Sequence, residues 1–437
     1  MTEAYRDALE AVLPQLLEIL DEFFRDELNA FPHLFDAVVR DFMRHLGRAL
    51  AERVAQALGG AAVEAATVEG YRIERSPKIS FDTVFGEVTV RSPYMQASGT
   101  TRGARPVNER LRVRDGGRTV RLERAMCDFA VDDSYERAAA KLKEHYGLDI
   151  NRTTFSRVAK KHGAKLGVDT RMAALEARFD RPRVEEPATD RYLVEMDGSC
   201  VRTGQLVRDP ESAGPRTPKR GLPIGKRATE WRDLRLAFVR RLEGGDPAFV
   251  GEIGDFGTVV GWLVAEATAM GWTPPTFTLR VTDGGNGLRE ALDERFPEGQ
   301  HILDKPHLVH QLHEAATEML SPQQVAPQVS TWTIRLSAGE VTQVCAELRA
   351  VEGEGQERAE RLARYLERFA DAMNYDEFVR LGFPIGSGEI ESAHKSQVQR
   401  RLKLPGTWWT VDGANKLLAL RLCRTNKRWE QYWEAAA

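Results

Sequence analysis

Residues 277–285, Phe-Thr-Leu-Arg-Val-Thr-Asp-Gly-Gly, decide how this chain is read. Phe277, Leu279 and Val281 alternate with other residues, the period-two pattern of a strand. They run into Asp283, which Gly284 and Gly285 follow at once. An acid at the C-terminal end of a strand lies where an α/β sheet exposes side chains to a ligand. The glycines let the chain turn and let a bulky polymer approach closely. Upstream, Tyr192 to Met196 reads as a short apolar strand ending at Asp197-Gly198, and Leu234 to Leu242 alternates at Leu234, Leu236 and Phe238. Residues 256–270 fit a helix that Gly271 stops. Downstream, His301 to Asp304 reads as a further short strand, and Pro306 suits the first turn of a helix. Residues 307–380 are helical in pattern almost throughout. The predicted fold is an α/β core interrupted by a long α-helical segment.

The first half of the chain is organised differently. Residues 1–60 read as helical, with Val12, Leu13, Leu16, Leu17 and Leu20, then Phe35, Val38, Val39, Phe42 and Leu46, at helical spacing. Ile73, Ile79, Phe81 and Val84 to Val90 around Gly86 predict a β-hairpin. Residues 97–118, rich in Gly, Thr and Arg, read as loop. Ser134 caps a helix that Gly147 ends near Tyr146, and Asn151 caps a second running to about Leu166. Two helices joined by a short glycine-containing turn form a helix-turn-helix motif. The second carries Arg152, Arg157, Lys160, Lys161 and Lys165 with no acid among them, a face suited to a DNA groove or backbone, or equally to plain solvation. Pro182 to Pro187 reads as a linker.

Composition sets outer limits. A chain of 437 residues, 42% hydrophobic and 29% charged, has room for two or three globular domains. A net charge of −3 does not mark a nucleic-acid binder, so that case rests on local charge. Cys127, Cys200, Cys345 and Cys423 form no C-x-x-C pair, against a zinc ribbon and against a secreted disulfide framework. The N-terminus lacks a basic region and cleavage site, and no stretch matches a membrane helix. A cytoplasmic protein with no membrane partner is expected.

Two carboxylates at strand ends, Asp197 and Asp283, suit a pair of Mg²⁺ ions about 3.5–4 Å apart that promote in-line phosphoryl displacement. Taken singly, each Asp-Gly also fits an ordinary turn. A third carboxylate is needed, and Gly386-Ser387-Gly388-Glu389-Ile390-Glu391 offers two at the start of a helix. They lie about 200° apart around a helix, so one alone faces the metals, and the spacing does not choose between them.

Asp197-Gly198, Val281-Thr282-Asp283-Gly284, Asp304-Lys305-Pro306-His307 and the run GSGEIESAHKSQVQRRLKLPGTWWTVDGANKLLALR together resemble the ISKra group of bacterial insertion-sequence transposases. That group is related to Mutator-like transposases. The match extends from about residue 70 to the C-terminus. Its most specific part is Gly386-Ser387-Gly388-x-x-Glu391, then Arg401-Leu402-Lys403, Gly406, Trp409 and Gly413-Ala414-Asn415. The resemblance implies a ribonuclease H-like catalytic domain split by a helical insertion before its glutamate. It assigns catalysis and metal binding to Asp197, Asp283 and Glu391, and makes Asp304 and His307 a structural pair beside them. Asp304 is the alternative second aspartate. Many relatives carry a C-x-x-C pair after the strand ending near Tyr94, where this chain has Gln96-Ala97-Ser98-Gly99.

His301, His307, His310 and His313 crowd around Asp304, but His313 drifts off the helix face that His307 and His310 share, which speaks against zinc. Residues 393–428 hold nine basic side chains against one acid, Asp412, with Trp408 and Trp409 in their midst. Arg400, Arg401, Lys403 and Trp409 are expected to hold phosphates and stack bases, although a tryptophan here also suits the core. Lys395, one helical turn beyond Glu391, is expected at the scissile phosphate. The stretch Arg216, Lys219, Arg220, Lys226, Arg227 reads as a DNA clamp or a solvated loop.

The expected function is therefore DNA transposition: cleavage at the terminal inverted repeats and strand transfer into target DNA, using two Mg²⁺ or Mn²⁺ ions. The alternatives are an inactive DNA-binding regulator on the same fold and a non-transposing nuclease. The expected divisions are 1–68 (helical), 69–118 (hairpin and loop), 119–185 (helix-turn-helix), 186–320 (core), 321–383 (helical insertion) and 384–437 (glutamate helix and basic C-terminus). A homodimer or higher oligomer on double-stranded DNA is expected, paired through the N-terminal helices.

Overall fold

The computed structural model describes residues 35–97, 103–179, 187–207, 226–285 and 287–436, with Pro14 and Glu18 in helix. Val12, Leu13, Leu16, Leu17 and Leu20 lie outside the described residues. So do most of the linker, Arg216 to Arg220, and the side chains of Lys226 and Arg227. Two compact units divide the chain. One comprises residues 1–125, 140–149 and 436–437; the other comprises 126–139 and 150–435.

In the first unit, helix α1 (Phe35–Val68) leads into β1 (Tyr71–Arg75), β2 (Lys78–Thr83), β3 (Gly86–Arg91) and β4 (Tyr94–Ala97). Strands β2 and β3 form the expected hairpin, closing at Thr83 opposite Gly86. Ile79 and Phe81 on β2 and Val88 and Val90 on β3 bury the same face, as the period of two requires, and pack with Ala55 of α1 and Val107. The loop expected over 97–118 is partly structured. Pro106–Leu111 is a short helix, with proline in its opening turn and Pro106 and Val107 buried. Six residues are too few to show a helical period, and the tertiary contact of Val107 supplies what local sequence does not.

The helix pair expected around residue 147 is present as α2 (Tyr135–Tyr146) and α3 (Arg152–Phe179). Ser134 Oγ accepts from Arg137 N (3.3 Å) and Asn151 Oδ1 from Thr154 N (3.0 Å). Gly147 follows α2 with φ 68°. Helix α3 continues well beyond the expected Leu166.

The second unit is built on a five-stranded sheet of β5 (Tyr192–Val207), β6 (Lys226–Arg241), β7 (Ala248–Ile253), β8 (Thr278–Thr282) and β9 (Gly299–Leu303). The spatial order is β9-β8-β5-β6-β7. Strands β5, β8 and β9 run parallel, whereas β6 is antiparallel to both of its neighbours. Helix α4 (Phe256–Ala269) carries the chain from β7 across to β8 and stops before Gly271, φ 97°. All residues of β7 and β8 are buried, which requires layers on both faces. On one face Tyr192, Val194 and Met196 meet Val259, Val260 and Leu263 of α4. On the other, Leu193, Leu236 and Phe238 join a larger core with helices of residues 305–425.

Strand β5 corrects the reading of Asp197-Gly198 as a strand end. It continues to Val207, paired with β6 throughout, so Gly198 is within a strand rather than in a turn. What ends at residue 196 is the pairing with β8, where Met196 lies opposite Thr282. Beyond it β5 and β6 run on as a two-stranded ribbon. No helix among the described residues is long and apolar enough to cross a membrane.

Candidate active site

Strand register alone brings three acids to one edge of the sheet. Thr282 pairs with Met196 on one side and with Leu303 on the other. The residues that follow are Asp283, Asp197 and Asp304, on adjacent parallel strands spaced about 4.8 Å apart. At Asp283 the expected turn is present. Gly284 adopts φ 82°, and a β-carbon there would collide with the Tyr365 hydroxyl. Gly285 N donates to Asp283 Oδ1 (2.8 Å).

Helix α5 (Lys305–Met319) starts at Asp304, whose carboxylate is fully buried and fully used. Its Oδ1 accepts from Ser387 N (2.5 Å), and its Oδ2 accepts from His307 N (2.8 Å) and His307 Nδ1 (2.6 Å). Burial works to raise this carboxyl, but those bonds outweigh it and hold it below the usual carboxylate range. Asp304 therefore serves to fix the His307 ring with Nδ1 protonated, and Nε2 is left for other partners. The hydrogen bond that His307 donates to Asp304, with the charges of Asp304, Asp283 and Glu391, pushes the His307 imidazole up to about 9 against its partial burial.

The third acid arrives on helix α6 (Gly388–Ala393). Two contacts pin its start to the sheet: Ile390 N donates to Glu195 Oε2 of β5 (3.0 Å), and Arg240 Nη2 of β6 donates to Glu389 Oε2 (2.9 Å). Glu389 is thereby occupied. Glu391, two residues on, turns the other way, and ligand atoms of Asp304, His307 and Glu391 lie within 4.8 Å of one another. The two glutamates have different partners: Glu389 binds Arg240, and Glu391 lies with Asp304 and His307.

His394, one turn beyond Glu391, reaches the same place. Its Nε2 donates to the Asp197 carbonyl (3.1 Å), which leaves Nδ1 to accept from Ser199 Oγ (3.2 Å). Burial pushes the His394 imidazole down, against the attraction of Asp197. Burial likewise raises the Asp197 carboxyl, with Asp283 adding to the rise and His394 and His307 opposing it. Buried Glu195 is pushed up to about 8, by desolvation first. Sequence reasoning missed His394, Glu195 and Arg240. For two of them a signal existed: His394 shares the face of Glu391 at i+3, and Glu195 shares the strand face of Asp197.

The other expected residues divide. Lys395 is exposed, and His394 is the member of that turn that reaches the acids. Residues 394–399 form a π-helical turn, a common feature of functional sites. Arg400 is exposed and Lys403 half-buried. Arg401 and Trp409 are corrections, because both belong to the core. Arg401 is 1% exposed; its Nε donates to the Ala130 carbonyl, and its guanidinium lies 5.0 Å from the Tyr135 ring centroid and 4.9 Å from that of Trp409. Trp409 Nε1 donates to the Leu402 carbonyl (3.0 Å). A guanidinium held between two rings packs as an aromatic would and is withdrawn from phosphate. On α3, Arg152, Arg157 and Lys161 are exposed and Lys160 half-buried, while Phe155, Val158 and Ala159 face inward. His301 is buried against Thr282 Oγ1 (2.9 Å), and His310 turns out to Glu314 (3.2 Å), so the histidines do not converge on a zinc site.

Asp197, Asp283 and Glu391 offer hard oxygen donors with His307 beside them. Burial first, then the charge of Asp283, raises the Asp197 carboxyl, and the bond to Asp304 first, then the charges of Asp304, Asp283 and Glu391, raises His307. This donor set fits Mg²⁺ or Mn²⁺.

No family model matches the chain, and no curated protein matches it. Among solved structures it is similar to the Drosophila P element transposase strand transfer complex, at 11% identity and a TM-score of 0.25, over 71% of this chain and 79% of that one.

Proposed function

We propose that this chain is a DNA transposase of an insertion sequence, acting through Asp197, Asp283 and Glu391 on a ribonuclease H-like core. The observations that carry the reading are the register that sets Asp197 beside Asp283 and the helix, pinned to the sheet, that brings Glu391 to Asp304 and His307. The helices of residues 322–380, between the second aspartate and the glutamate, agree with it.

Two Mg²⁺ or Mn²⁺ ions would be held by Asp197, Asp283 and Glu391, and when bound they supply Lewis-acid polarisation of a phosphodiester and of the attacking oxygen. The protein's own groups position these ligands. Asp304 orients His307, His394 ties the backbone of Asp197 to the glutamate helix, and Glu195 and Arg240 fix where that helix begins. Water attacks the phosphorus at the element end, the bond to the departing 3′ oxygen breaks, and a 3′-hydroxyl is left. That hydroxyl then attacks a target phosphodiester, forming one P–O bond as another breaks. Double-stranded DNA is the partner, and Arg152, Arg157, Lys160, Lys161, Arg400 and Lys403 are its proposed phosphate contacts.

Incubation with duplexes bearing the element's terminal repeats, with Mg²⁺ or Mn²⁺, tests this. Cleavage and joining are expected, and both disappear in Asp197→Ala and Asp283→Ala. Cleavage that survives either change removes the assignment. DNA binding indifferent to divalent ions, with no cleavage, describes a regulator instead.

A further inference from the structure

The hydroxyl of Tyr365 is a polar group without a use in the fold. It belongs to the helix Gln356–Arg368, between the second aspartate and the glutamate. The oxygen is buried and has no hydrogen-bond partner among the described residues. It ends against the turn that follows Asp283, where a β-carbon at Gly284 would lie 2.6 Å from it. The ring packs on Phe369, with centroids 5.2 Å apart, and a phenylalanine would fill that space equally well. An unpartnered buried hydroxyl lowers stability, so packing does not account for the oxygen. Tyr375, the second tyrosine near these acids, is the contrast: its hydroxyl donates to the Leu303 carbonyl (2.8 Å).

The surroundings narrow what the hydroxyl serves. Asp283 and Asp304 are the acids whose charge reaches it; burial first, then Asp283, raises the phenol, which therefore stays a donor. Asp304 is already taken by Ser387 N and by two nitrogens of His307. Asp283 Oδ1 accepts from Gly285 N, and its Oδ2 accepts from nothing among the described residues. The helix is also clamped to the segment that follows Asp283. Arg368 donates to Glu290 (2.6 Å), and Arg289 donates to the Arg368 carbonyl (2.9 Å) and to Asp371 (2.6 Å). We infer that Tyr365 is a positioning residue of the metal site, its hydroxyl donating to the Asp283 carboxylate when a divalent cation is bound there. Carboxylates that ligate a cation are oriented by hydrogen bonds from the groups behind them, and losing one such bond lowers metal affinity about 10–100-fold. The inference rests on the metal reading of Asp283 and adds a donor from the helical segment. The hydroxyl then has its partner only in the loaded site.

Mn²⁺ binding to the full chain without DNA, followed by the paramagnetic resonance signal of the free ion, tests it without turnover. Tyr365→Phe should bind Mn²⁺ about tenfold more weakly than the wild type, and Tyr375→Phe should bind it equally well. Thermal unfolding without metal should separate the two variants in the opposite sense. Tyr365→Phe should melt about 1–2 °C higher, because an unpartnered hydroxyl is gone, and Tyr375→Phe lower, because a bond is lost. In cleavage assays Tyr365→Phe should raise the half-saturating Mn²⁺ concentration about tenfold and keep the maximal rate within about threefold. Equal Mn²⁺ affinity in the wild type and Tyr365→Phe overturns the inference and leaves the metal reading standing. A wild type that binds no Mn²⁺ overturns both. A Tyr365→Phe protein that loses stability together with affinity makes the hydroxyl a structural bond of the fold, and overturns the inference too.

Discussion

Arg240 donates to both carboxylate oxygens of Glu389, from Nε (3.1 Å to each) and from Nη2 (2.9 Å to Oε2). Its Nη1 is held by the carbonyls of Arg241 and Leu242. This half-buried pair occupies Glu389, while Glu391 lies with Asp304 and His307. Glu391→Gln should lower cleavage at least about a thousandfold, the loss expected for a ligand of catalytic ions. Glu389→Gln should keep cleavage within about tenfold and cost about 1 kcal/mol of stability. Rates for both variants on one duplex, with denaturant unfolding, check the contrast; equal losses would contradict it.

His307 gives a reading of the metal site that needs no turnover. Its proton affinity is raised in the metal-free protein to about 9, first by the bond to Asp304. A raised histidine stabilises the fold fully below pH 6.5 and loses that contribution between 6.5 and about 9. The ring is 40% exposed, so solvent screening reduces the stabilisation to roughly 1–2 kcal/mol. Histidine NMR titration should find the raised value without metal and a fall below neutrality on adding Mg²⁺, since a cation among the acids removes the charge that raised it. No response to Mg²⁺ would count against metal at this site.

His301 works in the opposite direction. Burial first, then the charges of Arg289 and Arg280, push it down to about 3. A depressed histidine contributes stability that is present above pH 6.5 and is lost as pH falls toward 3. Between pH 6.5 and 5 the loss should be about 2 kcal/mol. His301→Gln keeps a hydrogen-bonding group toward Thr282 without the titration, so its stability should fall by that much less over the same interval. Urea unfolding of both proteins at the two pH values measures the difference.

The buried and exposed arginines of the basic segment should separate cleanly. Arg401→Met should cost about 3 kcal/mol, because it removes a buried guanidinium packed between Tyr135 and Trp409. It should leave the salt dependence of DNA binding unchanged in whatever protein remains folded. Arg400→Ala and Lys161→Ala should each leave stability within about 0.5 kcal/mol and reduce the slope of log affinity against log salt by about 1. Fluorescence anisotropy over a salt series distinguishes the two groups.

The amino-acid sequence by itself determined a good deal. Alternation at Phe277, Leu279 and Val281, and again at Leu234, Leu236 and Phe238, specifies strands, because a period of two is a property of the local backbone. Asp283 followed by Gly284 specifies a turn, since a glycine reaches φ 82° without strain. Asn151 and Ser134 announce helix starts through bonds closed within three residues. Such features are local, and local features are legible.

Only the tertiary structure decided the rest. That Asp197 is within β5 and not at its end follows from pairing with β6, where its partner Leu236 lies 39 positions on. The pairing of Glu389 follows from Arg240, 149 positions distant. The burial of Arg401 follows from Tyr135 and Ala130, on helices far earlier in the chain. Each of these depends on which residue arrives opposite another when the chain closes. Charge, spacing and propensity do not encode that arrival; packing and strand register do.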